Sequence, residues 1–141
     1  MNNDEKGFRS CQECLDAVNE ERSNKLKDNV PYKGPLNYLK ASTTYNTQIP
    51  TVDFGYLING IVVVDTYVFD LSNPKYLKFT MNRLANTLAL YGESLEEFID
   101  TKTFVEKYQH LVGTQVELKQ DHYKDYAKYI VLATEKTSEF D

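Results

Sequence analysis

The sequence of 141 residues carries a formal net charge of −5 and is 41% hydrophobic, with 11 tyrosines and no tryptophan. A chain of this size can bury one core without disulfides or metal, and its hydrophobic content excludes an intrinsically disordered protein. The negative charge argues against a protein that coats duplex DNA through bulk electrostatics. No apolar run approaches the roughly 20 residues that span a bilayer, and the polar start MNNDEKGF lacks the pattern of a secretory signal. We therefore expect a single cytoplasmic domain without a membrane segment.

Residues 1–30 predict an amphipathic helix that ends before the first proline. Its apolar stripe consists of Phe8, Cys11, Leu15 and Val18. Cys11 and Cys14 form a C-x-x-C, which would be half of a zinc site or a redox pair. The sequence has no second such pair, and its only histidines, His110 and His122, lie far away. Packing of the two cysteines on the apolar stripe is the simpler interpretation, and we predict no metal and no cofactor.

The next part of the chain predicts three strands. Residues 36–47 predict the first strand, after a YKGP segment that we interpret as a breaker. Residues 51–70 predict a hairpin, because Asn59-Gly60 separates two runs rich in Val, Ile, Tyr and Phe and suits a type I′ turn. The two-residue turn fixes the register. In this register Ile58 pairs with Ile61, Leu57 with Val62, Tyr56 with Val63, Gly55 with Val64 and Phe54 with Asp65.

The predicted hairpin has one aliphatic face and one aromatic face. We expect the aliphatic face to point into the core and the aromatic face to be less buried, forming an aromatic platform on which a ligand could stack. Asp65 lies on the aromatic face, and a carboxylate seldom enters a core unpaired. Burial of the aromatic face beneath the following helix would remove the platform. The expected core residues are Leu57, Val62, Val64 and Val68, and the aromatic platform consists of Phe54, Tyr56 and Tyr67.

A helix over residues 74–91 follows, with Asn73 as N-cap, Pro74 at the first helical position and Gly92 at the C′ position. Two capping-box spacings then predict one or two short helices over residues 95–111. These spacings pair Ser94 with Glu97 and Thr103 with Glu106. The segments TQVELKQ and DYAKYIVLATE predict two final strands, joined by a tight turn at about residue 124, with Val116 and Leu118 facing inward.

The order of elements is a helix, three strands, a helical insert and two strands. Five strands with a helix between the third and fourth is the layout of the OB-type barrel, whose open face binds oligonucleotides. We therefore predict an α+β fold with a five-stranded OB-like antiparallel barrel, a helical insert between strands 3 and 4 and an extra N-terminal helix. A generic α+β sandwich fits the same order. The single domain would comprise the helix of residues 1–30, an OB-like core over residues 36–133 and an acidic tail over residues 134–141.

Motifs that assemble a nucleophile with a base are absent, since the sequence lacks G-x-x-x-x-G-K-[ST], G-x-S-x-G and H-E-x-x-H. We expect a binding protein and not an enzyme. Aromatic residues interleaved with lysines on the predicted strands are typical of proteins that bind single-stranded nucleic acid. Burial in the core remains the alternative for any single tyrosine. The predicted nucleic-acid site comprises Lys40, Tyr45, Phe54, Tyr56, Tyr67, Lys78, Lys124, Tyr126 and Lys128.

The run GIVVVDTYVFDLSNPKYLKFTMNRLANTLALYG and the later run HLVGTQVELKQDHYKDYAKYIV resemble small phage and mobile-element proteins of unknown function. Those proteins are encoded among recombination genes and are regarded as OB-type single-strand DNA-binding proteins. The resemblance covers about residues 36–132 and implies binding of single-stranded DNA or RNA during replication or recombination in a bacterial host cell. The matching positions are Asp65, Asn73, Pro74, Lys75, Leu84, Ala85, Gly92, Leu111, Val112, Gly113 and Tyr123.

The two ends of the chain suggest protein partners. The N-terminal helix of residues 1–30 is where this chain departs from the phage proteins, and it would serve oligomerisation or binding of a host or phage protein. The end of the chain, Glu139-Phe140-Asp141, resembles in kind the acidic tails of single-strand-binding proteins, which recruit replication and repair enzymes. A frayed terminus explains it equally well.

An alternative function belongs to another class. An acidic phage-encoded inhibitor could bind a host defence nuclease as a nucleic-acid mimic, similar to an anti-CRISPR protein, because negative charge imitates a phosphate backbone and tyrosine is favoured at interfaces. Lysines gathered beside the aromatic face would favour direct nucleic-acid binding, whereas carboxylates spaced along one surface would favour the inhibitor. Full burial of Phe54 and Tyr56 beneath the helix of residues 74–91, with Val62 and Val64 in solvent, would move the inhibitor to first place. A third possibility is a scaffold subunit whose aromatic face is a dimer interface.

Overall fold

The computed structural model describes residues 10–124 and 126–136, with residues 18–24 described by their backbone only. The chain forms an α+β domain, as predicted. Most of the predicted acidic tail, the predicted helical residue Phe8 and the turn residue Asp125 lie outside the described residues. Within the described part, no helix has the length and apolar character needed to span a membrane. The elements are α1 (Cys11–Asn24), β1 (Tyr32–Thr43), β2 (Pro50–Ile58), β3 (Ile61–Val68), α2 (Pro74–Leu90), α3 (Thr101–Tyr108), a 3-10 turn (Gln109–Leu111), β4 (Gln115–Tyr123) and β5 (Tyr126–Thr134).

The five strands form one antiparallel sheet in the order β3-β2-β1-β4-β5. β1 lies at the centre, pairing with β4 through residues 32–35 and with β2 through residues 36–43. Its register with β2 shifts between Leu36 and Tyr38. β3 and β5 are the two edges, so hydrogen bonds do not close the sheet into the predicted barrel.

The YKGP segment belongs to β1, so its interpretation as a breaker was wrong. Gly34 is buried in the strand, where a Cβ would collide with the carbonyl oxygen of Leu57. The glycine is therefore present because β2 approaches closely at this point, and not because the chain turns.

The hairpin of β2 and β3 has the predicted register, from Ile58 opposite Ile61 to Thr51 opposite Val68. Asn59 and Gly60 have φ angles of 54° and 78°, as a type I′ turn requires. The register is confirmed, but the assignment of the two faces was wrong. The predicted core residues Leu57 and Val62 are 39% and 47% exposed, and Val64 and Val68 are half-buried. The aromatic platform residues Phe54, Tyr56 and Tyr67 are fully buried.

The aromatic face is buried because α2 packs across it and pairs its polar atoms. The Tyr56 hydroxyl lies 3.1 Å from the Tyr91 hydroxyl, and the Tyr67 hydroxyl lies 2.7 Å from Oγ1 of Thr87. Burial raises the pKa of Tyr56 well above its ordinary range, so this hydroxyl stays protonated. Aromatic side chains bury more area than valine or leucine, and hydrogen-bonded hydroxyls remove most of the cost of burying them.

The helices begin and end largely where their capping residues predict. Asn73 accepts a hydrogen bond from the backbone N–H of Tyr76, and Gly92 follows α2 with a φ of 76°. The predicted helix start at Ser94 was wrong, because residues 93–100 form no helix. Asp100 is the cap of α3 instead, accepting from the N–H of Thr103 at 2.7 Å. The inward-facing residues Val116 and Leu118 of β4 are fully buried, as predicted.

Truncation of the buried aromatic face should cost more stability than truncation of the aliphatic face. We expect Phe54→Ala to lower the free energy of unfolding by about 3–5 kcal/mol, because it empties a fully buried site. The matched variant Val62→Ala on the exposed face should cost less than about 1 kcal/mol. Urea denaturation measures both values. A larger loss for Val62→Ala than for Phe54→Ala would mean that the faces are inverted.

Candidate functional site

A groove runs between the two sheet edges, β3 and β5, and α2 forms its third side. We call it the β3–β5 groove. Its volume is about 490 Å³, and an adjoining cavity of about 170 Å³ extends it along α2. The groove exists because the sheet stays open between β3 and β5, so that side chains of both edges face the same space. It is lined by Val64, Asp65, Thr66, Tyr76, Phe79, Arg83, Ala127, Lys128, Tyr129 and Ile130.

An ion pair between Asp65 and Arg83 lies in the groove and connects β3 to α2. Nη1 of Arg83 donates to Oδ1 and Oδ2 of Asp65 at 2.9 and 3.2 Å, and Nη2 donates to the backbone oxygen of Thr66 at 2.8 Å. Burial raises the pKa of the Asp65 carboxyl, and the adjacent Arg83 guanidinium offsets part of that rise. The sequence predicted that Asp65 would keep this face out of the core, but the carboxylate is buried together with its partner.

The guanidinium of Arg83 also covers an aromatic ring. Its central carbon lies 3.8 Å from the centroid of Tyr67, which is close contact for a cation–π pair. The Arg83 side chain is still 33% exposed, whereas that of Asp65 is 6% exposed. Arg83 therefore lies between the buried ring of Tyr67 and the open space of the groove.

Two exposed aromatic rings of α2 stand beside Arg83. Tyr76 is 42% exposed and Phe79 is 58% exposed, and their ring centroids lie 6.1 Å apart at an interplanar angle of 30°. Tyr76, Phe79 and Arg83 are spaced by three and four residues, which places them on one face of the helix. The spacing is present in the sequence. The apolar stripe that begins at Leu77 is sufficient to predict the helix, so Tyr76, Phe79 and Arg83 were not assigned to the site from the sequence.

The groove is a basic part of an acidic protein. α2 carries Lys75, Lys78 and Arg83 and no acidic residue, and Lys128 of β5 lines the groove directly. Acidic groups border the groove as well. Asp65 is paired with Arg83, Asp121 lies opposite Lys128 on β4, and Asp53 accepts a hydrogen bond from the lining residue Thr66. Among the lining residues themselves, Arg83 and Lys128 are basic and Asp65 is acidic, so the charge of the lining is opposite in sign to the net charge of −5.

Three predicted site residues belong to the β4–β5 hairpin at one end of the groove. Lys124, Tyr126 and Lys128 are all exposed, and Tyr126 lies opposite the exposed Tyr123. The amino group of Lys124 lies 5.5 Å from the ring centroid of Tyr123. Aromatic and basic side chains are thus both exposed at this hairpin.

The other predicted site residues do not line the groove. Tyr45 is 90% exposed in the loop between β1 and β2, and Lys40 and Lys78 are exposed on β1 and α2. Phe54, Tyr56 and Tyr67 are enclosed in the core, so the predicted aromatic platform is not formed. These three rings cannot stack on a ligand in this conformation, because α2 already covers them.

The cysteines and histidines form no metal centre within the described residues. No group of three or more His, Cys, Asp and Glu side chains that could hold an ion occurs there. Cys11 is exposed and Cys14 is half-buried, so core packing does not account for the pair. Each histidine pairs with a carboxylate instead, His110 with Glu93 at 3.1 Å and His122 with Asp28 at 2.7 Å.

Removal of the Asp65 carboxylate should destabilise the fold. Asp65→Ala leaves the guanidinium of Arg83 without its partner, and we expect a loss of about 2–3 kcal/mol, less than for a fully enclosed pair because Arg83 is partly exposed. Asp53→Ala is the matched control, since Asp53 accepts one hydrogen bond from Thr66 at an exposed site. Equal losses of unfolding free energy for Asp65→Ala and Asp53→Ala in urea denaturation would show that the ion pair with Arg83 adds no stability.

The pH dependence of stability gives a separate test of the buried carboxyl. Because burial raises the pKa of Asp65 in the folded state above its ordinary value of 3.8, the folded protein binds more protons than the unfolded chain between these two values. The contribution of Asp65 to stability therefore falls as pH rises through this window. As pH rises through this window, the unfolding free energy of the wild type should therefore fall relative to that of Asp65→Asn. A constant difference would mean that the pKa is not raised.

No family model matches the sequence, and no curated protein shows significant similarity to it. The resemblance to phage single-strand-binding proteins accordingly stays a prediction, and the case for a function depends on the groove.

Proposed function

We propose that the protein binds single-stranded nucleic acid in the β3–β5 groove without catalysing a reaction. The observation that carries the proposal is the presence of two exposed aromatic rings, Tyr76 and Phe79, beside Arg83 and Lys128 in an otherwise acidic chain. Proteins that bind single strands combine a basic groove, which follows the phosphates, with aromatic side chains on which bases stack. Aromatic rings in a groove can reach only unpaired bases, so duplex DNA is not the expected ligand.

The strand order supports an OB-like interpretation of the sheet. β3 and β5 are its edges, so a sheet curled to bring them together would form a ring in the order β1-β2-β3-β5-β4. The OB fold is a partly open five-stranded barrel that binds oligonucleotides with strands 2 and 3 and with the loops between strands 1 and 2 and between strands 4 and 5. In this chain those loops carry exposed Tyr45 and exposed Lys124.

The β4–β5 hairpin would extend the site beyond the groove. Tyr126 offers a further stacking surface, and Lys124 and Lys128 offer phosphate contacts at the same end. Lys40 and Lys78 would meet only a strand that continues past the groove, because neither lines it. If the resemblance to phage and mobile-element proteins holds, this activity would serve replication or recombination within a bacterial cell, with DNA or RNA as the ligand.

A host-nuclease inhibitor is the second candidate, because the aromatic face is buried. We predicted that the inhibitor would rank first if Phe54 and Tyr56 were fully buried and Val62 and Val64 lay in solvent. Phe54 and Tyr56 are fully buried and Val62 is 47% exposed, whereas Val64 is half-buried. Residues 93–106 add five carboxylates with a single lysine. We place direct nucleic-acid binding first, since basic residues lie beside the exposed rings of the groove. An inhibitor would bind a nuclease and not an oligonucleotide, which separates the two candidates.

Binding to a thymidine oligonucleotide tests the proposed function. We expect saturable binding at low salt, and Phe79→Ala should weaken it by about 1–3 kcal/mol because one stacking surface is lost. Phe79 is mostly exposed, so its removal should leave the fold intact. Leu57→Ala, on the outer face of β2, is the matched control and should bind normally. Fluorescence anisotropy with a labelled oligonucleotide measures all three affinities.

Salt dependence tests the role of the basic residues. Phosphate contacts release counterions, so affinity should fall with salt, and Lys128→Ala should reduce the slope of log K against log salt by about 0.7. No measurable binding at low salt would reject the proposed function and move the inhibitor to first place. If affinity does not change with salt, the phosphate contacts of the lysines are rejected, and binding in the groove by stacking still stands.

A further inference from the structure

We propose that the guanidinium of Arg83 is a base-binding subsite that takes one unpaired nucleobase by stacking. The inference rests on the proposed function and adds to it a specific group and a specific ligand chemistry. A stacked base would lie on the face of the guanidinium opposite Tyr67. Guanidinium planes are among the groups on which unpaired bases stack in proteins that bind single strands.

The position of Arg83 is fixed before any ligand arrives. Three hydrogen bonds hold its two terminal nitrogens against the Asp65 carboxylate and the backbone of Thr66. The Tyr67 ring beneath it is itself held by a hydrogen bond between its hydroxyl and Oγ1 of Thr87. A long flexible side chain that is already ordered loses little entropy on binding, so the plane is presented to the groove at low cost.

One face of Arg83 remains available to a ligand. Its side chain is one-third exposed, and it lines both the β3–β5 groove and the adjoining cavity. Its described hydrogen bonds are donated by Nη1 and Nη2 in the plane of the guanidinium, so they do not occupy the face opposite Tyr67. The opposite wall of the groove is formed by Tyr129 and Ile130, which can enclose the edge of a base.

Arg83 continues the row of exposed rings on α2. Tyr76, Phe79 and Arg83 are successive neighbours at spacings of three and four residues, about 5–6 Å apart between Cβ atoms. Three planar groups therefore follow the groove, and Arg83 is the innermost, next to the buried Asp65. A base at this position would be more enclosed than one on Tyr76 or Phe79. A sugar-phosphate strand without bases has no ring to stack on Arg83, so it would not make this contact.

A comparison of two ligands with two variants tests the subsite. The ligands are a thymidine oligonucleotide and an abasic deoxyribose-phosphate strand of the same length, and the preference of each protein is the ratio of its two affinities. Arg83→Lys keeps the positive charge and loses the plane. We expect it to weaken thymidine binding about ten-fold or more and to leave abasic binding unchanged. Lys128→Ala, as the matched control, should weaken both ligands equally.

Each outcome separates the subsite from the proposed function. If the wild type binds neither ligand, the proposed function fails. If the wild type prefers thymidine and Arg83→Lys keeps that preference, the subsite fails and the proposed function stands. Equal weakening of both ligands by Arg83→Lys would make Arg83 a phosphate contact, which also overturns the stacking proposal.

A measurement on the wild type covers the case in which Arg83→Lys does not fold. Nuclear magnetic resonance can follow the Nε–H signal of Arg83 during titration with each ligand. A base stacked on the guanidinium should move this signal upfield through the ring current, and the abasic strand should not. An identical response to both ligands, or no response to thymidine, would overturn the proposal.

Discussion

The ion pair between Asp65 and Arg83 determines how the two layers of this molecule meet. β3 carries a carboxylate on the same face as three large aromatic rings, and that face can enter the core only if the carboxylate has a partner. Arg83 of α2 supplies the partner, and in doing so it positions α2 across the aromatic face. The hydroxyls of Tyr56 and Tyr67 then find their own partners on or just after the same helix, at Tyr91 and Thr87.

The same contact explains why the sheet stays open. Arg83 donates to the backbone oxygen of Thr66, which belongs to the free edge of β3. A side chain of α2 thus occupies a position that another strand would use, and the helix stands in the gap between β3 and β5. The groove follows directly from this arrangement, because the two edges and the helix each leave side chains facing a space that no strand fills.

The sequence specifies the register of the hairpin and the bounds of α2 through local chemistry. Asn59-Gly60 allows one turn type, and Asn73, Pro74 and Gly92 mark the helix ends, so these features follow from neighbouring residues alone. The choice of buried face depends on a contact between residues 18 positions apart, and both faces of the hairpin are apolar. A local pattern could not decide which face is buried. Asp65 wrongly indicated an exposed face, because its partner Arg83 lies on the next element, α2.

The same reason explains which of the predicted site residues lie close together in the structure. Lys124, Tyr126 and Lys128 lie on one hairpin, so their proximity needs no tertiary contact. The spacing of Tyr76, Phe79 and Arg83 also predicts one face of a helix from sequence alone. Whether that face lines a groove depends on which strands pack opposite it, and this is a tertiary contact. The capping box at Ser94 failed for a related reason, since the segment before Asp100 packs Phe98 against Phe69 in place of forming a helix.

The net charge of the chain does not oppose nucleic-acid binding, because the two flanks of α2 differ. On one flank Tyr76, Phe79 and Arg83 face the β3–β5 groove, and on the other flank Leu77 and Met81 face the acidic segment that includes residues 98–101. At physiological salt, charges separated by more than about 8 Å are largely screened, so a phosphate in the groove responds mainly to the basic groups around it. The carboxylates beyond the helix would repel a strand that strayed toward them. In the proposed function, a single strand would therefore lie on the groove flank of α2 only.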